Sequence, residues 1–159
     1  MMSKLFLVAL MAISLKGSTA ASANFTMIRL PSRLGATSYL LSSETANFFQ
    51  AFVSCQESDM NLAAITTEVE ASNLDFALRN TAKDGDSFWM SGSNLPDVET
   101  KQYYWFTGGK RAVYTDWLPG EPNDEEGVEH CLGWEQREGV GVGWNDFECT
   151  LEKKYICQY

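Results

Sequence analysis

The spacing of apolar and polar positions changes character twice along this 159-residue chain. Lys4 precedes an apolar run from Leu5 to Leu15, and small residues follow from Gly17 to Ala23. That layout predicts a secretory leader over residues 1–23, with Ala21-Ser22-Ala23 as an A-x-A cleavage site and Ser18-Thr19-Ala20 as a second choice. The run is shorter than the roughly 20 residues that span a bilayer, so it reads as a leader and not as an anchor. Beyond it, Ser38-Tyr39-Leu40-Leu41 predicts a short strand. From Thr45 to Glu57, the residues Phe48, Phe49, Phe52, Val53 and Cys55 recur at helical spacing and predict an amphipathic helix with its phenylalanines in the core. Met60 to Ile65 forms a connector with a short apolar run. Thr67, three residues before Glu70, is a capping-box pattern that opens a second helix to about Asn80, with Val69, Leu74 and Leu78 as its buried stripe. From Phe88 onward Gly, Pro, Asn, Asp and Trp dominate. Only Phe88-Trp89-Met90, Tyr103-Tyr104-Trp105-Phe106 and the stretch from Glu152 to Tyr159 look like strands. Helices first and irregular strands afterwards indicate an α+β domain. The long aperiodic stretches between them are of the kind that carries function.

The mature chain, residues 24–159, has roughly 135 residues, enough for one domain with one core. Cys55, Cys131, Cys149 and Cys157 are even in number and follow a secretory leader, so two disulfides are expected, in any of three pairings. The formal charge of −9 becomes about −11 once Lys4 and Lys16 leave with the leader. Such a balance argues against nucleic acid or an anionic membrane as partner, and nothing after the leader is apolar enough to insert into a bilayer. Asn24-Phe25-Thr26 is an N-glycosylation sequon at the mature N-terminus. With His130 as the sole histidine and the cysteines committed to bridges, no nucleophilic triad or thiol–imidazole pair can be assembled, so the chain is not expected to be an enzyme.

The chemistry concentrates near the C-terminus. Glu121, Asn123, Glu129, Asn145 and Asp146 supply three carboxylates and two side-chain amides, an oxygen-only set that suits calcium and suits zinc or copper poorly. An Asn that offers its carbonyl oxygen to calcium keeps NH₂ protons to donate, and a calcium-bound carboxylate keeps lone pairs. A sugar hydroxyl can use both. Six acids lie between Asp116 and Glu129, and their mutual repulsion favours a divalent cation.

These residues resemble the C-type lectin family over nearly all of the mature chain. Phe88-Trp89-Met90-Ser91-Gly92 is similar to the family's Trp-Ile-Gly-Leu core strand. Tyr114-Thr115-Asp116-Trp117 and Pro119-Gly120-Glu121-Pro122-Asn123 resemble the approach into its long loop. Glu129-His130-Cys131, Trp144-Asn145-Asp146 and Tyr155-Ile156-Cys157 match its Glu-x-Cys, Trp-Asn-Asp and closing-strand elements. The resemblance implies two helices and small antiparallel sheets beside a long irregular loop region, in the short form with the pairing Cys55–Cys157 and Cys131–Cys149. It implies a principal calcium site of Glu121, Asn123, Glu129, Asn145 and Asp146, a cis bond before Pro122, and carbohydrate binding by Glu121, Asn123, Glu129 and Asn145. Glu-Pro-Asn resembles the mannose-type members, which favour two neighbouring equatorial hydroxyls. Asn94, Glu99, Asp124 and Glu129 are the candidates for a second calcium, in a stretch one residue too long and with His130 where an acid is expected. The function implied is a secreted, calcium-dependent glycan-binding protein that recognises microbial or cell-surface sugars. It would gain avidity by self-association or a recruited partner. The alternative is a member whose calcium-ordered loop binds a protein.

Overall fold

Asn47 decides where the first helix starts. Its side-chain oxygen accepts from the Gln50 backbone N–H at 3.0 Å, and the Gln50 side chain accepts from the Asn47 N–H at 3.3 Å, a complete capping box. In the computed structural model, which describes residues 27–32 and 36–159, helix α1 spans Phe48–Glu57. The leader and the sequon at Asn24 lie outside the described residues. The buried stripe of α1 is Phe48, Ala51, Ser54 and Cys55. Phe49 and Val53 stand one position off that stripe and are 48% and 52% exposed, which corrects the expectation that every phenylalanine of the helix is core.

Helix α2 spans Glu68–Leu78 and begins at the predicted cap, where the Thr67 hydroxyl accepts from the Glu70 N–H at 3.2 Å. The Glu70 carboxylate does not close the box on Thr67; it turns one residue further back, to the N–H and hydroxyl of Thr66. The face buried is Ala71, Leu74, Ala77 and Leu78. Val69, predicted in the stripe, is 69% exposed. At 3.6 residues per turn it lies on the side opposite Leu78, and the small alanines take its place.

Nine strands appear among the described residues. They are β1 (Met27–Arg29), β2 (Tyr39–Ser42), β3 (Asn61–Leu62), β4 (Ser87–Ser93), β5 (Tyr104–Trp105), β6 (Lys110–Arg111), β7 (Glu129–Arg137), β8 (Gly141–Glu148) and β9 (Lys154–Gln158). Strand β9 ties the two ends of the domain together, pairing antiparallel with β2 and β3 and parallel with β4. Strand β4 in turn pairs antiparallel with β5 and β7, and β7 with β8. The β7–β8 hairpin holds the two longest strands, and the sequence pattern did not predict it. Its glycines hide the alternation, yet one of them is required. A Cβ on Gly133 would stand 3.0 Å from the Phe88 carbonyl oxygen and 2.9 Å from the Phe147 ring, where β7 crosses β4.

The core has two parts. Under α2, Leu74 and Leu78 pack with Trp105, Trp134, Trp144 and Ile156. Beside α1, Phe48, Trp89 and Tyr155 pack with all four cysteines. Trp89 is held there by its indole N–H, which donates to the Ala46 carbonyl at 2.9 Å. The disulfides are Cys55–Cys157 and Cys131–Cys149, separated by 102 and 18 residues, in the pairing the resemblance implies. Replacing both cysteines of the first bridge by serine is expected to cost about 4–5 kcal/mol, and of the second about 3 kcal/mol, because the longer loop restricts the unfolded chain more. Urea midpoints of the two double variants check that order.

Lys153 lies half-buried between the hairpin and β4. Its ammonium donates to the Ser87 hydroxyl at 2.8 Å and sits 3.6 Å from the Phe147 ring centroid. Burial pulls its pKa down to about 8 from an ordinary 10.5, against the Glu135 and Glu129 charges, which favour the cation as the ring face also does. In that window the unfolded chain holds a proton that the folded chain has released, so stability rises with pH from about 8 towards 10.5. Urea unfolding between pH 8 and 10 should show this rise, and Lys153→Met should abolish it.

Candidate functional site

The loop that carries Glu121 and Asn123 is fastened to β8 at its entrance. The Trp144 N–H donates to the Asp116 carbonyl at 2.7 Å, and the Leu118 N–H to the Trp144 carbonyl at 2.9 Å. Gly143 permits this approach, since a Cβ there would stand 2.9 Å from the Asp116 carbonyl oxygen. Trp144 itself is 1% exposed and meets Trp105, Tyr114 and Trp117 edge-on, so it serves the core and offers no face to a ligand. The peptide bond Glu121–Pro122 is cis.

Past the cis bond, the loop is held by Asp146. This residue is fully buried on β8, and its carboxylate accepts from the Asn123 N–H at 3.1 Å and the Asp124 N–H at 3.0 Å. The Tyr103 hydroxyl donates to the same carboxylate at 3.2 Å. Burial raises the Tyr103 pKa well above its ordinary range, and the Asp146 charge raises it further, so the phenol remains a donor. Three charge-assisted hydrogen bonds on one buried carboxylate fix the chain direction between Asn123 and Asp124.

Glu121 and Asn145 meet through two residues outside the predicted ligand set. The Arg137 guanidinium donates to Glu121 Oε1 at 2.7 Å and to Glu135 Oε2 at 3.0 Å. Glu135 Oε2 also accepts from Asn145 Nδ2 at 3.0 Å. Glu135 and Arg137 lie two apart on β7, opposite Gly143 and Gly141 of β8. The Glu121 side chain is only 4% exposed. Its other oxygen, Oε2, is buried without a hydrogen-bond partner, and so is Asn145 Oδ1. A buried carboxylate oxygen and a buried amide oxygen left unsatisfied are costly, and both are hard donors suited to a cation. The residues therefore fit calcium.

Glu129, at the start of β7, accepts from the Glu125 N–H at 3.1 Å, and its own N–H donates to Asp124 at 3.3 Å. Burial raises its pKa, and the Asp146, Glu125 and Glu121 charges add to the rise, so Glu129 shares a negative field with two other predicted ligands. Asn123 is exposed, and only its backbone is engaged. Among the described residues no three acidic, histidine or cysteine side chains converge as a metal cluster. Glu121, Glu129 and Asp146, the three acids of the expected set, are therefore not gathered into such a cluster.

The second candidate set is less well gathered. Asn94 is 1% exposed with its Oδ1 unpartnered, and its N–H donates to the His130 carbonyl at 3.1 Å. Glu99 lies exposed in the turn after a short 3₁₀ segment. Asp124 is paired with the Lys101 ammonium at 3.1 Å, and that hydrogen bond lowers its pKa. Sequence reasoning missed Lys101, Tyr103, Glu135 and Arg137. The period-two spacing of Glu135 and Arg137 was the available signal, and it has meaning only once the segment is known to be a strand.

Comparison with known proteins agrees with this architecture. The sequence profile of the Lectin C-type domain family matches residues 44–159, and the chain belongs to that family. Salivary C-type lectin 2 of Aedes albopictus is 28% identical over 127 residues, covering 76% of this chain and 82% of that protein. Perlucin of Haliotis laevigata is 32% identical over 123 residues, covering 76% and 74%. Among solved structures, the C-type lectin domain of murine dendritic cell inhibitory receptor 2, in complex with an N-glycan, has the same fold. It aligns with a TM-score of 0.66 at 20% identity, covering 83% of this chain and 95% of that one. The family binds carbohydrate and is not enzymatic.

Asp146→Ala removes the acceptor of three hydrogen bonds and is expected to cost about 3 kcal/mol. Amide exchange at Asn123 and Asp124 should accelerate in that variant. Tyr103→Phe should cost about 1 kcal/mol and leave the Asn123 amide protected, because that amide bonds the other carboxylate oxygen.

Proposed function

We propose that the protein is a secreted lectin that binds mannose-type glycans through one calcium ion held by Glu121, Asn123, Glu129, Asn145 and Asp146. One observation carries the reading: Glu121 Oε2 and Asn145 Oδ1, on two of the five nominated ligands, are buried oxygens with no hydrogen-bond partner. Bound calcium supplies a positive centre that can take hydroxyl oxygens of a sugar into its coordination shell. Glu121 and Glu129 accept hydrogen bonds from those hydroxyls, while the amides of Asn123 and Asn145 donate hydrogen bonds to their oxygens. Asp146 positions the loop through its two backbone contacts. The order acid-then-amide in Glu121-Pro122-Asn123 is what favours neighbouring equatorial hydroxyls, by resemblance to mannose-type members.

A single ion is proposed because the second set is dispersed, with Glu99 exposed in a turn and Asp124 held by Lys101. Secretion is supported by the leader sequence, by the two disulfides and by a salivary relative. Among the described residues no helix is long and apolar enough to cross a membrane. A shallow site of this kind gains useful strength by presenting several copies to microbial or cell-surface glycans.

Retention of the mature protein on mannose–agarose with release by EDTA is the expected result, with no retention on galactose–agarose. The double variant Glu121→Gln, Asn123→Asp reverses acid and amide and should move retention to galactose. Retention of the unmodified protein on galactose alone would sink the mannose assignment and keep the ion. Failure on both columns would favour the protein-binding alternative.

A further inference from the structure

We propose that Arg137, held by Glu135, is a resident counter-ion of the calcium site and sets its affinity for both calcium and sugar; this rests on the calcium-dependent reading above. The four residues Glu121–Arg137–Glu135–Asn145 are linked in a row by contacts of 2.7, 3.0 and 3.0 Å. In it, Arg137 occupies Glu121 Oε1 and Glu135 occupies Asn145 Nδ2, while Glu121 Oε2 and Asn145 Oδ1 have no partner. Each ligand is thus satisfied on one atom and open on the other. The open atoms are the two oxygens a cation needs. The satisfied atoms are the acceptor and donor that a sugar hydroxyl would use, so the protein's own side chains compete with the sugar for them.

The competition is built to be reversible. Arg137 is the most exposed member of the quartet, at 31% for its side chain against 4% for Glu121. Releasing Glu121 leaves it bonded to Glu135 through Nη2 at 3.0 Å and, more loosely, Nε at 3.4 Å. It therefore moves without losing its fork, and without leaving an unpaired charge behind. Until calcium binds, Arg137 supplies the positive charge that makes burial of the Glu121 carboxylate tolerable. It also repels the incoming divalent ion. Glu135 and Arg137 are accordingly positioning residues that tune affinity from outside the ligand motif.

This role makes two effects of Arg137→Gln opposite in sign. In EDTA the variant should melt at a lower temperature than the unmodified protein, because Glu121 loses its counter-ion. Its calcium dissociation constant, followed by tryptophan fluorescence or calorimetry, should tighten roughly tenfold, the size of one charge-assisted hydrogen bond released. Mannose affinity at saturating calcium should rise in the same direction. Arg137→Lys, which keeps the charge, should stay close to the unmodified protein. A merely structural arginine would lower stability and weaken calcium binding together. Equal or weaker calcium affinity in Arg137→Gln overturns the inference while leaving the calcium reading in place. Absence of calcium binding in both proteins overturns both.

Discussion

The buried carboxylate of Asp146 is the constraint on which the site depends. It sits within β8 with no exposure, and it accepts from the backbone of Asn123 and Asp124 and from the Tyr103 hydroxyl. Through it, a long loop whose regular structure is one short 3₁₀ turn, Glu125–Gly127, is referred to the longest hairpin of the described residues. Past its entrance, where Leu118 is bonded to Trp144, the backbone of such a loop must find partners outside itself. An anionic acceptor in a dry position is the strongest anchor available. The same carboxylate contributes to the negative field in which Glu129 sits, so one group both anchors the loop and charges the site.

The hairpin gives that anchor its rigidity. Cys131–Cys149 joins its two strands near the site, and Cys55–Cys157 joins α1 to the closing strand. Trp144 fills the core beneath, so Asn145 and Asp146 project from a strand whose neighbouring residue is immobilised by three aromatic rings. Side chains on such a support keep their geometry better than side chains on the loop itself. Asn123 is the exception; it is exposed and engaged only through its backbone.

Charge balance is the second theme. The chain is strongly acidic, and the structure meets its acid-rich region with two basic residues placed one to one. Arg137 pairs with Glu121, and Lys101 with Asp124. The two pairs differ in burial. Glu121 is enclosed, so its arginine answers a desolvation cost, whereas the Lys101 side chain is 61% exposed and is screened by solvent. The aromatic and half-buried setting of Lys153 is a separate solution, in which ring faces lie against the ammonium and the Glu135 and Glu129 charges add to the support of the cation.

Local signals were read correctly where the physics was local. Thr67 begins its helix because a side-chain cap acts within three residues, and the four cysteines imply bridges because oxidation follows from compartment and number. The Glu-Pro-Asn and Trp-Asn-Asp stretches pointed to an oxygen-rich site because ligand chemistry is written in residue type. The exposed sides of the helices were misjudged at Phe49, Val53 and Val69, because which part of an apolar arc is buried depends on what packs against it. The hairpin was missed because Gly133 and Gly143 look like loop residues until a neighbouring strand, for Gly133, or the packed loop at Asp116 and Leu118, for Gly143, requires their missing Cβ. By itself, then, the sequence determined the helix starts, the cysteine number and the donor types of the site. Only the tertiary structure decided that Arg137 and Glu135 stand between Glu121 and Asn145, since contacts between residues 16 and 10 positions apart arise from strand register and loop anchoring, which no local pattern encodes.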